Sequence, residues 1–433
     1  MRQTSGHSLD RAPYGIGRRT FLAALGGGLL VGAAACGGGS DAGGEAADLS
    51  YRIWDKNQQP AMQEIVDRFQ AANPNIKVTV QLTPSAEYWT KMQADATAGS
   101  APDVFWMNGP HAKFYAANGA LLPLSDELAK NGVDLANYPE ALTRIYSYQD
   151  KQYGVPKDFD TIGLWYNKKL FDAAKVKYPD ETWTWQDVSS AAQKLTNASK
   201  GVYGIAAPAF GQENYYNTIF QAGGHVISPD GKSSGYDQPA AIEGLQFWTD
   251  LMKTGVSPSL KSMTDTFPAQ MFQSGKIAMY YAGSWNAVEF AKNNSIKNDI
   301  DVTVLPRGKR QAVVIHGLAN VVSAKTEHPA QAAKFVAYLG SKEAADIQAR
   351  TGTVIPAFNG TQEAWVASMP QYHLKSYLDQ LAYAVPYPTS TNTDAWQAKE
   401  AEVLGPAWSG DKSASDAAHE MATLMNAALQ KDQ

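Results

Sequence analysis

Between Leu49 and Met107 the chain alternates between two hydrophobic rhythms, and that alternation limits the folds open to it. Leu49–Trp54 reads as an opening strand, and Pro60–Ala72 sets Met62, Ile65, Val66 and Phe69 on one helical stripe. Asn73-Pro74-Asn75 breaks the helix, Ile76–Leu82 alternates like a strand, and Tyr88–Ala98 is helical again. Pro102-Asp103 then leads into Val104-Phe105-Trp106-Met107, a buried strand. Such an order implies a parallel sheet with helices on both faces. Ligands of these sheets bind beyond the carboxyl ends of the strands. Trp54 and Asp55–Gln59, with Asn57 and Gln58, therefore stand at the candidate site, as does Asn108–Pro110. An ordinary turn residue is the alternative reading of Asn108.

The stretch Tyr153–Phe171 (YGVPKDFDTIGLWYNKKLF) departs from this rhythm. Gly154 can take positive φ and Pro156 blocks a helix, so its start reads as a turn-and-proline segment. Thr161, Ile162, Leu164, Trp165 and Tyr166 then have the composition of a buried strand. Asp158 and Asp160 stand just before that run. A carboxylate there is costly to bury without a partner, which suggests a polar ligand. Solvated loop acids are the other reading, and spacing does not separate the two.

Further along, Thr184-Trp185-Gln186-Asp187 has the form of a capping box, with Asp in place of Glu. Tyr203–Ala207 reads as a strand, and Glu213-Asn214-Tyr215-Tyr216 opens the next helix. Pro239–Lys253 is helical with Ile242, Leu245, Trp248 and Leu251 in register. Lys276–Tyr281 reads as a strand ending in Ala282-Gly283-Ser284-Trp285, and Val302–Pro306 as another. Val313–Val322 is a strand containing Gly317, a residue that lets a ligand approach backbone closely. Pro329–Gly340 and most of Ala364–Gln430 are helical. Val385–Thr393 is too rich in Pro, Ser and Thr for that, and Tyr387 and Trp396 flank its loop.

Several of these segments together resemble one family. Tyr153, Gly154, Val155, Pro156, Asp160, Tyr166, Asn167, Lys168 and Phe171 are similar to a segment of the extracellular sugar-binding components of bacterial ABC importers. These are the family 1 solute-binding proteins of the maltose, trehalose or oligosaccharide type. The runs APDVFWMN, TWTWQDV, FQSGKIAMYYAGSW, HPAQAAKFVAYL and TVIP fit the same family, in its order, across nearly the whole chain.

The resemblance implies an α/β, two-lobe periplasmic-binding-protein-like fold. Each lobe is expected to be a mainly parallel sheet flanked by helices, the two joined by crossing segments. The lobes fall at 49–157 with 312–355 and at 158–311 with 356–433. An acid near the first crossing, Asp160 here, is expected to contact sugar hydroxyls, and Asn108 takes the place of a polar ligand contact. Trp285 takes the place of a tryptophan lying against the sugar, although core packing is the default for any tryptophan. Tyr387 and Trp396 belong to a loop that closes over it. With Tyr215 and Gly317, and Trp54, Asn57 and Gln58, these residues make up the expected ligand set.

At the amino terminus, Arg18-Arg19 precedes Phe21-Leu22 and an apolar run to Ala35, broken by Gly26-Gly27-Gly28. Too short to span a bilayer, the run reads as the core of a signal peptide over residues 1–35. The twin arginines suggest the twin-arginine export route, with an ordinary Sec signal as the alternative. Cys36, the one cysteine of the chain, resembles the acylated cysteine of a bacterial lipoprotein, with Ala33 where a larger aliphatic residue is usual. Residues 36–48, rich in Gly, Ala and Ser, read as a flexible leash from a lipid anchor on the outer face of the membrane. With one cysteine, no intrachain disulfide can form.

The signal segment carries four arginines against one aspartate, so a chain without it moves from a net charge of −5 to −8. An acidic body without basic runs argues against nucleic acid as a partner. Scattered histidines without ligand spacing give no metal site, and nothing calls for a cofactor. The function expected is a monomeric carbohydrate receptor that delivers its ligand to an ABC importer permease. The residues leave open which sugar, and also a polyol or glycerol-phosphate. The alternative is an exported glycoside hydrolase using Asp158 and Asp160 as acid and base.

Overall fold

A computed structural model describes residues 45–431. The signal segment, Cys36 and most of the leash lie outside the described residues. In chain order the strands are β1 (Ala47–Ile53), β2 (Ile76–Leu82), β3 (Val104–Asn108), β4 (Ser147–Tyr148), β5 (Lys151–Gln152), β6 (Gly154–Asp160) and β7 (Ile162–Asn167). There follow β8 (Tyr203–Ile205), β9 (Ile277–Gly283), β10 (Ile300–Thr303), β11 (Val313–Val322), β12 (Ile355–Pro356) and β13 (Ala384–Pro386). One sheet has the order β12-β6-β11-β3-β1-β2, with β13 also on β11; the other runs β10-β7-β9-β8. β1 starts two residues before the expected strand because Ala47 pairs with Ile76 and is buried.

Local chemistry explains where the elements begin and end. The helix Gln59–Ala72 has Pro60 in its first turn, where the missing N–H costs nothing, and buries Met62, Ile65, Val66 and Phe69. The helix Trp185–Leu195 starts at Thr184 with both halves of the capping box formed. Helices cover the sheets, but the sheets are mixed rather than mainly parallel. β1 is parallel to β2 and β3, and β8 to β9, through long helical crossovers. β6 and β7 are separated by Thr161 alone, and β11 returns from the second sheet to the first. These linking strands therefore run antiparallel to β3, β9, β10 or one another.

Tyr153–Pro156 is not a turn. Pro156 lies within β6, opposite Ala319, where the register with β11 shifts between Leu318 and Ala319. A proline has no N–H for a ladder, and an irregularity of this kind is where a sheet tolerates one. The same strand holds a buried ion pair, since the Lys157 ammonium contacts the Asp158 carboxylate. Gln58 Oε1 accepts from Lys157 Nζ at 2.8 Å, and that nitrogen lies 4.4 Å from the Trp106 ring centroid. Asp158 Oδ1 also accepts from the Leu318 N–H at 2.9 Å. Each charge is thus compensated, as burial demands.

Two apolar clusters fill the body. Tyr51, Ile65, Trp106 and Phe335 belong to the first, which continues to Trp165 under the second sheet. Trp248, Tyr281, Trp396, Trp408 and Met421 belong to the second.

Candidate functional site

The carboxyl ends of β1 and β3 supply one wall. Half-buried Trp54 follows β1, its ring 4.7 Å from Tyr88 and 5.2 Å from Trp106, both edge-on. Asn57 Nδ2 reaches Glu289 Oε1 at 3.4 Å, on the helix Ala287–Lys292 that follows Trp285. Asn108 caps the helix Gly109–Ala117, its Oδ1 accepting from the His111 N–H at 3.2 Å. The His111 ring stacks on Trp89 at 3.6 Å and 10°.

The crossing supplies the floor. Asp160 ends β6 opposite His316 of β11 and accepts at Oδ1 from Gln212 Nε2 at 2.9 Å. Burial, reinforced by the negative charges of Asp158 and Glu213, holds its carboxyl well above the usual range, opposed by the Gln212 bond. Burial also pushes Glu213 up to about 6 and His316 down to about 4. A neutral His316 can then accept at Nε2 from the Gly109 N–H, 3.2 Å away.

Gln212 and Glu213 lie on a π-helical turn, Gly211–Tyr215, where an opening α-helix was expected. Such turns add a residue and re-aim side chains, often at functional sites. Tight packing is one cause: a Cβ on Gly211 would meet the Tyr216 ring at 2.6 Å. Sequence reading missed these two residues, and a Gln-Glu pair before an aromatic pair was the signal available.

Trp285 stands on a short 3-10 turn after β9, half-buried, with its ring over Gly283. A Cβ on Gly283 would lie 1.9 Å from that ring, and Gly283 pairs with Ile162, two residues past Asp160. Trp285 and Asp160 are thereby brought to the same end of the crossing. Tyr387 is largely buried, its ring 4.8 Å from His316, and its hydroxyl contacts Gln397.

Four expected residues sit elsewhere. Trp396 is fully buried, with Nε1 donating to Ser390 Oγ at 3.1 Å, because its helix turns that face into the second cluster. Tyr215 is buried edge-on between Tyr216 and Trp408. Gln58 is buried under the site as a partner of Lys157 and Asp55. At Gly317 the close neighbour is β6: a Cβ there would be 2.2 Å from the Asp158 carbonyl oxygen. Nor are Asp158 and Asp160 a solvated pair, since Asp158 is buried in its ion pair.

A groove of about 590 Å³ lined by Trp185, Glu243, Phe247 and Asp250 lies between two outer helices and includes none of these residues. Among the described residues no cluster of His, Cys, Asp and Glu could hold a metal ion, and no helix is long and apolar enough to cross a membrane.

Residues 55–346 match the family model for the bacterial extracellular solute-binding protein. The chain is 24% identical to the diacetylchitobiose binding protein DasA of Streptomyces coelicolor, covering 78% of this chain and 82% of that one. It is 22% identical to the maltodextrin-binding protein MdxE of Bacillus subtilis, covering 92% and 94%. An ABC substrate-binding protein of Listeria monocytogenes in complex with cycloalternan superposes with a TM-score of 0.84. That pair is 27% identical over 89% of this chain and 100% of the other. With the family model matching well over half of its length, this chain belongs to the bacterial extracellular solute-binding proteins.

Proposed function

We propose that the protein captures a neutral carbohydrate, a di- or oligosaccharide, between two lobes and delivers it to the permease of an ABC importer. The observation that carries this is Asp160 at the crossing, with Gln212 on one side and Trp285 at the same end of the next sheet. Sugars need fixed partners for their hydroxyls and an apolar face for their rings, and this set offers both. Two of the relatives named above are a diacetylchitobiose binding protein and a maltodextrin-binding protein, which supports the same class here.

Charge narrows the class. No cation is among the groups that act on the carboxyls of Asp160 and Glu213, so a phosphate or carboxylate beside them would find no charge partner there. That disfavours glycerol-phosphate. The hydrolase reading loses its second carboxyl, since Asp158 is tied to Lys157 and the Leu318 N–H.

We take the lobes with the bounds expected from the sequence, except that residues 158–160 go with β6 and the first sheet, so that the first crossing turns on Thr161. Closure about the crossings would bury the sugar and present a new surface to the permease. We place the protein outside the cytoplasm as a monomer, exported through residues 1–35 and held by a lipid on Cys36. A thermal-shift panel of mono-, di- and trisaccharides, glucose 6-phosphate and glycerol 3-phosphate tests the ligand class. Neutral saccharides should raise the melting temperature with concentration. A shift with the phosphates alone would overturn the reading.

A further inference from the structure

His111 joins elements that belong to different bodies of the fold. Its helix, Gly109–Ala117, follows β3 of the first sheet. Its Nε2 lies 3.0 Å from Oδ2 of Asp394, in the first turn of the helix Thr393–Ser409, whose buried residues Trp396, Val403 and Trp408 belong to the second cluster. Its other ring nitrogen, Nδ1, lies 2.6 Å from Asn108 Oδ1. That oxygen also accepts from the His111 backbone N–H, which fixes the amide with its oxygen toward the ring. Both ring nitrogens therefore face acceptors with no proton to give.

A neutral imidazole has one N–H and can satisfy only one of them; an imidazolium satisfies both. The flat contact of the ring with Trp89 at 3.6 Å fixes the plane of the imidazole. His111 follows Asn108 by three residues, and no contact with a sugar is needed for this role.

We propose that His111 and Asp394 are positioning residues for ligand capture, a ring-to-carboxylate latch that holds the two lobes closed. The proposal rests on the two-lobe receptor reading above. The contact joins the two bodies, so removing either partner lowers the closed fraction. A sugar trapped behind it dissociates more slowly than from a chain that lacks either partner.

Single-molecule energy transfer between dyes on Lys130→Cys and Lys261→Cys, with Cys36→Ser, reads the closed fraction without any sugar. The ratio of closed to open molecules should fall about two- to tenfold in His111→Gln and in Asp394→Asn, as expected for a partly exposed contact with a stacked ring. The double variant should fall no further than either single one, because the two partners make one contact. A single variant that keeps the wild-type ratio, or a double variant that falls by the product of the two single effects, would overturn the latch. Because no ligand is present, either result leaves the sugar-receptor reading to be judged by the saccharide panel alone.

Discussion

Asp160 Oδ1 and Gln212 Nε2 lie 2.9 Å apart, joining the last residue of β6 to the π-turn of the second sheet's body. This bond crosses between the two halves beside the one-residue link at Thr161. A ligand hydroxyl entering here would meet a carboxyl that burial and Asp158 hold protonated more tightly than usual.

Asp160→Asn keeps the shape and removes the charge. Charge-assisted hydrogen bonds contribute about 1.5–3 kcal/mol, so sugar affinity should fall roughly ten- to a hundredfold. Hydroxyls that donate to Asp160 also favour its ionised form, so wild-type binding should release protons, and the variant should release fewer. Calorimetry in two buffers of different ionisation enthalpy measures both. Unchanged affinity and proton release in the variant would remove Asp160 from the site.

Trp285 has its ring over Gly283 and is half-buried. Trp285→Ala should weaken sugar binding by about 1–3 kcal/mol, the scale for losing a large aromatic face. Fold stability should change less than affinity. A large fall in melting temperature with unchanged affinity would return Trp285 to the core.

Legibility varied with how local the cause was. Strand β2, the helix Pro239–Lys253 and the capping box at Thr184 were readable because their signals lie within a few residues. Pro156 in β6 was not, since its place depends on an irregularity in a partner strand 163 positions later, at Ala319. The same is true of Gly317, where a glycine that suits a ligand equally suits a neighbouring strand. That Trp54, Asn108, Asp160 and Trp285 stand at or just after strand ends was legible, because strand ends are marked locally. Trp396 and Tyr215 were misplaced because an aromatic residue near a loop gives no sign of which way its helix faces. Gln212 and Glu213 needed the π-turn, which no periodicity announces.

Glu400 gives a pH test of the fold. It is buried, accepts from the Tyr216 hydroxyl at 2.7 Å and from Tyr236, and burial pushes it up to about 7. Its folded value exceeds the ordinary 4.5, so its contribution is full below about pH 4.5 and is lost as pH rises through about 7. The loss is roughly 3 kcal/mol. His316 acts in the opposite direction, its share present above about 6.5 and lost as pH falls through about 4. Urea unfolding of wild type and Glu400→Gln across pH 4.5–8 cancels His316, common to both. The variant should lose most of the wild-type decline, and parallel curves would contradict the assignment.

Cys36 lies outside the described residues, but its place after the apolar run makes a direct prediction. Cys36→Ser should move the protein from the membrane fraction to the soluble fraction. Continued sedimentation with membranes would mean a different tether.

Capture between two lobes is the central claim, and small-angle scattering tests it most directly. With a saturating concentration of the saccharide that most raises the melting temperature, the radius of gyration of the wild-type body should fall. Asp160→Asn should need about ten- to a hundredfold more of that sugar for the same compaction. A radius unchanged by a sugar that demonstrably binds would contradict closure about Thr161 and the account built on it.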